Sequence, residues 1–427
     1  MNQLAAVTLF DVKEVASKFG TPTWVYDQAT IEKRISEVKS FDVIRYAQKA
    51  NSNLAILKIM KNQGVVVDAV SAGEVIRAIK AGYTTEGEHP GIVFTADMFD
   101  EDALKVIKKY NVPVNVGSPD MIPQLAEAGI NVDVTLRINP GFGHGHSAKV
   151  NTGGDVSKHG IWHEQIEECM ALGLKHGINI HGLHMHIGSG SDFEHLSAVA
   201  NSMVDAARRV GQTLKVVSAG GGLPIPYHKE DPTRIDVQAY YDVWNDARLK
   251  IQEELGHDIT LEAEPGRYLI AESGYLVTRI ASIKQQAQKN FYLIDAGFND
   301  LVRPSFYGAY HHITIVSQDD TKFEGATDAI VAGPLCESCD VFTQEDGGFV
   351  TTRALPTAKI GDYLILHDAG AYGMAMSSNY NTRRIAAEVL VHNSELLTIR
   401  ERQTFEAIMQ FEKVPSHLGA LKAASVD

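Results

Sequence analysis

The chain has 427 residues, more than one ordinary core accommodates and enough for two. Hydrophobic residues at 44% and charged residues at 22% are the balance of a soluble globular protein. The 39 Lys and Arg against 53 Asp and Glu leave a formal net charge of −14, which argues against nucleic acid or an anionic membrane as partner, because both would repel it.

The first ten residues have no basic segment followed by an apolar one, so no secretory leader is expected. No stretch approaches the roughly 20 uninterrupted apolar residues of a membrane span. The only cysteines are Cys169, Cys336 and Cys339, too few for a disulfide framework, and a reduced cytoplasm is the expected location.

From about residue 41 to 266 one pattern repeats: a short β-branched apolar run, then an amphipathic segment of helical period. The apolar runs lie at 41–46, 65–70, 92–95, 112–116, 132–138, 178–186, 214–218 and 259–263. Helices are predicted between them at 54–62, 72–81, 101–110, 121–128 and 166–176. Eight such units predict a (β/α)8 barrel. The alternative, an open doubly wound sheet, usually has fewer strands, and no G-x-G-x-x-G follows the first strand. After Gly266 strand-like runs at 275–283, 291–294, 312–316, 329–331, 363–367, 388–392 and 396–400 predict a mostly antiparallel β domain, with one helix at 404–413. The expected division is a barrel over 25–270 and a β domain built from 1–24 and 271–427.

Barrel enzymes build their sites at the C-terminal ends of the strands. Those ends carry Lys49, Asp68, Asn115, Arg137, Asn139, His184, His186, Gly220-Gly-Gly222, Glu264 and Arg267, far more polarity than a structural barrel needs. Lys49, in Tyr46-Ala-Gln-Lys-Ala-Asn51, reads alone as a snorkelling strand-end lysine; desolvated at a barrel mouth it is a nucleophilic amine. The three glycines bring backbone N–H groups against a phosphate or simply make a tight turn. His186-Ile-Gly-Ser-Gly190 adds a hydroxyl at Ser189. Arg267 offers a clamp for phosphate or carboxylate and Glu264 a partner for a protonated ring nitrogen, or the two pair with each other. His184 and His186 share a strand face and invite a metal, but a hydrolase needs further ligands on other strands, and no metal is expected. Cys336-x-x-Cys339 has no second pair for zinc, and Cys336-Glu337 reads better as a thiol and carboxylate delivered to a site. The Gly- and His-containing stretch 141–155 has the composition of a mobile loop.

Taken together, 46–51, 184–190, 220–222, 264–267, Asp295-Ala-Gly-Phe-Asn-Asp300, Arg303-Pro-Ser-Phe-Tyr307, Gly333-Pro-Leu-Cys-Glu-Ser338 and Gly370-Ala-Tyr372 resemble, in the same order, the alanine-racemase-like (fold type III) decarboxylases that use pyridoxal 5′-phosphate (PLP). The resemblance is closest to the bacterial members acting on meso-2,6-diaminopimelate and runs from about residue 21 to 381. It implies that Lys49 holds PLP as a Schiff base. It implies also that His186 stacks on the ring, that Glu264 holds the ring nitrogen protonated, and that Ser189, Gly221, Gly222 and Tyr372 surround the phosphate. Arg267, Arg303 and Tyr307 are implied at the substrate carboxylate, with Arg267 bordering the phosphate and Tyr372 beside the substrate. Cys336 and Glu337 are implied to come from the second subunit of a homodimer, Glu337 for the far amino group and Cys336 as candidate proton donor. Ornithine-type relatives carry aspartate where Glu337 stands, so Glu337 with Arg303 points to a substrate with both an ammonium and a carboxylate at its far end. The sequence departs from the family pattern at Cys339, where a glycine is usual, and in Leu223-Pro-Ile-Pro-Tyr227. The implied reaction is decarboxylation of meso-diaminopimelate to L-lysine and CO2. A non-catalytic PLP-binding homologue and a metal-dependent barrel hydrolase are the rival readings.

Overall fold

The computed structural model describes residues 9–87, 89–142, 152–186, 188, 193–228 and 235–422. Strand β1 (Thr23–Asp27) and the helix Gln28–Glu37 come first. Eight parallel strands then close on themselves: β2 (Val43–Ala47), β3 (Val66–Ala69), β4 (Ile92–Ala96), β5 (Val114–Val116), β6 (Val134–Asn139), β8 (Ile180–Met185), β9 (Val216–Ser218) and β10 (Thr260–Ala263). Pairing of β5 with β6 and of β10 with β2 completes the ring. A two-residue strand, β7 (Ile161–Trp162), extends β6 outside it. Every predicted apolar run overlaps one barrel strand, with β2, β4 and β6 each running one residue past the expected end, because each is buried between the ring interior and the outer helices.

The helices begin and end where local chemistry satisfies their free backbone groups. Asn53 and Asp100 accept N–H groups of the first turns of Leu54–Asn62 and Glu101–Tyr110. Gly177, at φ +70°, closes Ile166–His176 in the left-handed conformation that glycine adopts without strain. The barrel strands also carry buried polar side chains. Arg45 on β2 makes a bidentate pair with Glu262 on β10, at 2.9 and 3.1 Å, and Asn115 donates to Thr95.

The second sheet holds β11 (Gly274–Gln286), β12 (Lys289–Ile294), β13 (Ile313–Val316), β14 (Ala326–Ala332), β15 (Arg353–Pro356), β16 (Tyr363–Leu366), β17 (Ala387–His392) and β18 (Glu395–Arg400), together with β1. Its pairings are antiparallel except β1 with β17 and β12 with β14. The thirteen-residue β11 organises it: residues 274–279 pair with β1 and β16, and after a register shift at Ile280 the rest pairs with β12. Because β1 lies between β11 and β17, the expected division at 24/25 cuts a strand of this sheet. The predicted helix at 404–413 is shorter, Phe405–Met409.

Two contacts bring this sheet to the mouth of the barrel. Tyr372 N–H donates to Ala50 O at 2.8 Å, one residue past Lys49. Glu388 on β17, fully buried, accepts from Tyr26 Oη at 3.1 Å, from Asn53 Nδ2 at 2.9 Å and from Arg400 Nε. The turn that carries Lys49 is thus held from both domains.

The turn between β12 and the helix Arg303–Tyr307 carries an unusual acid. Asp300 is buried, its Oδ2 accepts Gly297 N–H at 3.1 Å, and burial lifts its pKa from 3.8 to about 7. The unfolded chain loses this proton near pH 4 and the folded one near pH 7, so stability falls as pH rises across that window, by about 4 kcal/mol at most. Asp300→Asn is expected to flatten the decline, raising the melting temperature at pH 8 relative to the parent and leaving it little changed at pH 4. Parallel melting curves of the two proteins over that range check it.

Candidate active site

A pocket opens at the C-terminal ends of the barrel strands, lined by Lys49, Asp68, His184, His186, the loop Gly221-Gly222 and Glu264, with Arg267 and Tyr372 at its border. Lys49 lies in a single 3-10 turn, Gln48–Ala50, directly after β2, and is exposed toward the mouth.

At the base of the pocket Glu264 follows β10 and is buried; Ser218 Oγ donates to its Oε1 at 2.8 Å. His184 Nε2 lies 3.2 Å from the other oxygen, without the alignment of a hydrogen bond. Burial raises the pKa of Glu264, against the Ser218 hydrogen bond and the charges of Arg45 and Arg137. Asp68 at the end of β3 is raised to about 6 and Glu74 to about 7, both by burial first and by a neighbouring acid, with Lys49 opposing. One Asp68 oxygen has no partner among the described residues.

His186 packs its ring against the glycine loop. Burial, then the charges of Arg137 and Lys49, hold its pKa well below the usual histidine range, so it presents a neutral flat surface. The glycines are required by space as well as by conformation. A Cβ on Gly220 would stand 2.4 Å from Met185 O, one on Gly221 2.6 Å from Glu264 O, and one on Gly222 2.5 Å from Gly188 O. Gly220 and Gly222 also have φ of +62° and +104°. The loop threads between the ends of β8 and β10 with no room for side chains, leaving its backbone at the pocket.

The upper wall is cationic. Arg267 and Arg303 are both buried. Arg267 Nη1 donates to Tyr227 Oη at 2.7 Å, and its guanidinium carbon stands 5.0 Å from the Tyr372 ring centre. The Arg303 guanidinium carbon stands 4.7 Å from the Tyr227 ring centre. Neither arginine has a carboxylate partner among the described residues; Arg267 lines the pocket and Arg303 lies behind it across Tyr227.

Of the residues expected from the sequence, the pocket thus gathers Lys49, His186, Gly221, Gly222, Glu264, Arg267 and Tyr372; Arg303 adjoins through Tyr227, and Tyr307 adds its field at Arg267. Ser189 lies outside the described residues, as do residues 143–151 of the loop expected at 141–155. The described ends of that loop are clasped by Asn139, which accepts from Gly141 and Gly154 N–H and donates to Gly154 O. Cys336 and Glu337 are not brought to the pocket: they lie on an exposed loop after β14 that Asp340 pins through Phe298 and Leu335 N–H. Cys339 O accepts from Ser305 and Gln344, and burial beside Glu337 raises the Cys339 thiol pKa, opposing thiolate reactivity. Two residues here carry no role in the sequence reading: Tyr227, the last residue of the departing segment Leu223-Pro-Ile-Pro-Tyr227, and Glu74, placed by the Ser71 cap of the helix Ala72–Lys80. Among the described residues no group of three His, Cys, Asp or Glu is placed to hold a metal ion.

The donor set fits a flat group that is anionic at one end and cationic at the other. The glycine loop and Arg267 suit a phosphate, His186 suits a ring face, and Glu264, its pKa raised by burial, suits a protonated ring nitrogen.

The family described as "Pyridoxal-dependent decarboxylase, pyridoxal binding domain" matches residues 28–271. The chain is 49% identical over 408 residues to the diaminopimelate decarboxylase of Escherichia coli K12, covering 95% of this chain and 97% of that one. A crystal structure of diaminopimelate decarboxylase superimposes with a TM-score of 0.91 at 49% identity, over 93% of this chain and 95% of that one. The Helicobacter pylori diaminopimelate decarboxylase complexed with L-lysine superimposes with a TM-score of 0.83 at 30% identity, over 94% of this chain and 98% of that one.

Proposed function

The chain belongs to the pyridoxal-dependent decarboxylases, and from that premise we propose that it converts meso-2,6-diaminopimelate to L-lysine and CO2. The observation that carries the substrate is the pair of buried arginines without a carboxylate partner among the described residues, Arg267 lining the Lys49 pocket and Arg303 joined to it through Tyr227. A diamine or a simple basic amino acid leaves one of these charges unanswered; a substrate with a second carboxylate does not.

Lys49 anchors PLP through its amine. Bound there, PLP supplies the electron sink for the pair left behind when a carboxylate departs as CO2. Glu264 would accept a hydrogen bond from a protonated ring nitrogen and answer its charge. His186 would lie against the ring face, and Gly221 and Gly222, with Ser189 and Tyr372, would hold the phosphate. Arg303 and Tyr307, with Arg267 bordering the phosphate and Tyr372 beside it, bind the carboxylate that stays, which orients the carboxylate that leaves. Glu337 and Cys336 enter from a second copy of the chain, Glu337 to the far ammonium and Cys336 to deliver the proton that replaces CO2 at Cα. Their exposure on a pinned loop supports a homodimer with shared sites.

CO2 release from meso-diaminopimelate, ornithine, arginine and lysine, measured with PLP-loaded protein, tests the substrate. Diaminopimelate is expected to exceed the others by roughly 10³-fold or more in kcat/KM, the scale at which a polar site rejects a substrate lacking its charged partner. No release from diaminopimelate refutes the proposal.

A further inference from the structure

We propose that His311 is a positioning residue for the substrate: it aims Arg303 through a neutral acceptor and so leaves the guanidinium charge to the substrate's remaining carboxylate. This rests on the placement of Arg303 in the substrate site proposed above. His311 is fully buried in the segment between the helix Arg303–Tyr307 and β13. Its Nδ1 lies 2.8 Å from His367 O, and a carbonyl only accepts, so Nδ1 carries the proton. Nε2 is then an acceptor, 2.9 Å from Arg303 Nη1, which only donates.

The ring is fixed from other directions too. Tyr227 meets it edge to face at 5.7 Å between centres, and Arg353 Nη1 donates to the His311 carbonyl. A second proton on Nε2 would set N–H against N–H, and burial together with Arg303, Arg353 and Arg267 opposes it. A carboxylate in the same place would satisfy the Arg303 donor equally well, but would cancel its charge before substrate arrived. The neutral imidazole gives direction without neutralisation.

The test compares holoenzyme carrying His311→Gln, His311→Asn, His311→Glu and, as control, Arg303→Gln. Glutamine reaches to the Nε2 position and keeps the acceptor; asparagine keeps the donor to His367 O and loses it; glutamate puts a negative charge where glutamine puts none. KM and kcat for meso-diaminopimelate are measured, with calorimetric affinities for L-lysine and for 1,5-diaminopentane, which lacks the carboxylate. Glutamine is expected to stay within about threefold of the parent, and asparagine to raise KM about tenfold with kcat nearly unchanged, the loss of one buried hydrogen bond to a charged group. Glutamate is expected to raise KM at least as far and to weaken L-lysine but not 1,5-diaminopentane. Glutamine and glutamate behaving alike, or every variant losing kcat and bound cofactor together, would overturn the inference in favour of a structural role. Arg303→Gln separates the two levels. An unchanged KM there refutes the placement of Arg303. A raised KM there, with asparagine and glutamate at 311 both at parental values, refutes His311 alone.

Discussion

Lys49→Ala is expected to abolish the visible absorbance of PLP-loaded protein and to lower CO2 release from meso-diaminopimelate by roughly 10⁴-fold or more, the scale of deleting the residue that carries a covalent step. The fold is expected to survive. The lysine is exposed at the mouth, its turn is held by Tyr46 Oη on Asn51 O at 2.9 Å and by Tyr372 N–H on Ala50 O, and none of these bonds uses the lysine side chain. A melting temperature close to the parent's, with the chromophore gone, is therefore the signature. Retention of colour and turnover in the alanine variant would place the covalent anchor elsewhere.

The second largest effect is expected at Glu264. Glutamine preserves shape, and Ser218 Oγ donates to an amide oxygen as readily as to a carboxylate, so the base of the pocket stays filled. It cannot answer a positive charge. The difference between a buried ion pair and a neutral hydrogen bond at the ring nitrogen is about 3–4 kcal/mol, or roughly 10²–10³-fold in kcat. KM is expected to change little, because the substrate's far carboxylate is held by the arginine wall. Steady-state kinetics of Glu264→Gln beside the parent, both PLP-saturated, give the answer; an equal rise in KM with kcat retained would contradict this role for Glu264.

How much of this was legible in the sequence depended on whether the signal was local. The barrel was legible because each strand is largely buried and so reads as a short run rich in apolar, often β-branched residues, and because several helices announce an end. Asn53, Asp100 and Gly177 do so visibly. In the β domain, β15 escaped notice, since in Arg353-Ala-Leu-Pro only Leu355 is buried and there is no alternation to see. The pairing of β1 with β17 joins residues some 360 positions apart in the chain, and no local pattern encodes it. The site divides the same way. Lys49, Glu264 and the three glycines sit at strand ends, and position alone exposes them. Tyr227 and His311 matter through what they touch, and burial, which lifts Asp68 and Glu74 toward neutrality, becomes visible only in three dimensions. Cys336 and Glu337 stay outside the pocket of their own chain, as the shared-site proposal requires.

The most direct test of the account is the site of covalent attachment. PLP-loaded protein is reduced with borohydride, digested, and every lysine-containing peptide is weighed. The peptide carrying Tyr46-Ala-Gln-Lys-Ala-Asn51 is expected to hold one phosphopyridoxyl group at Lys49, at close to one per chain. Unmodified Lys49, or protein that stays colourless with PLP and carries stoichiometric zinc, would contradict it.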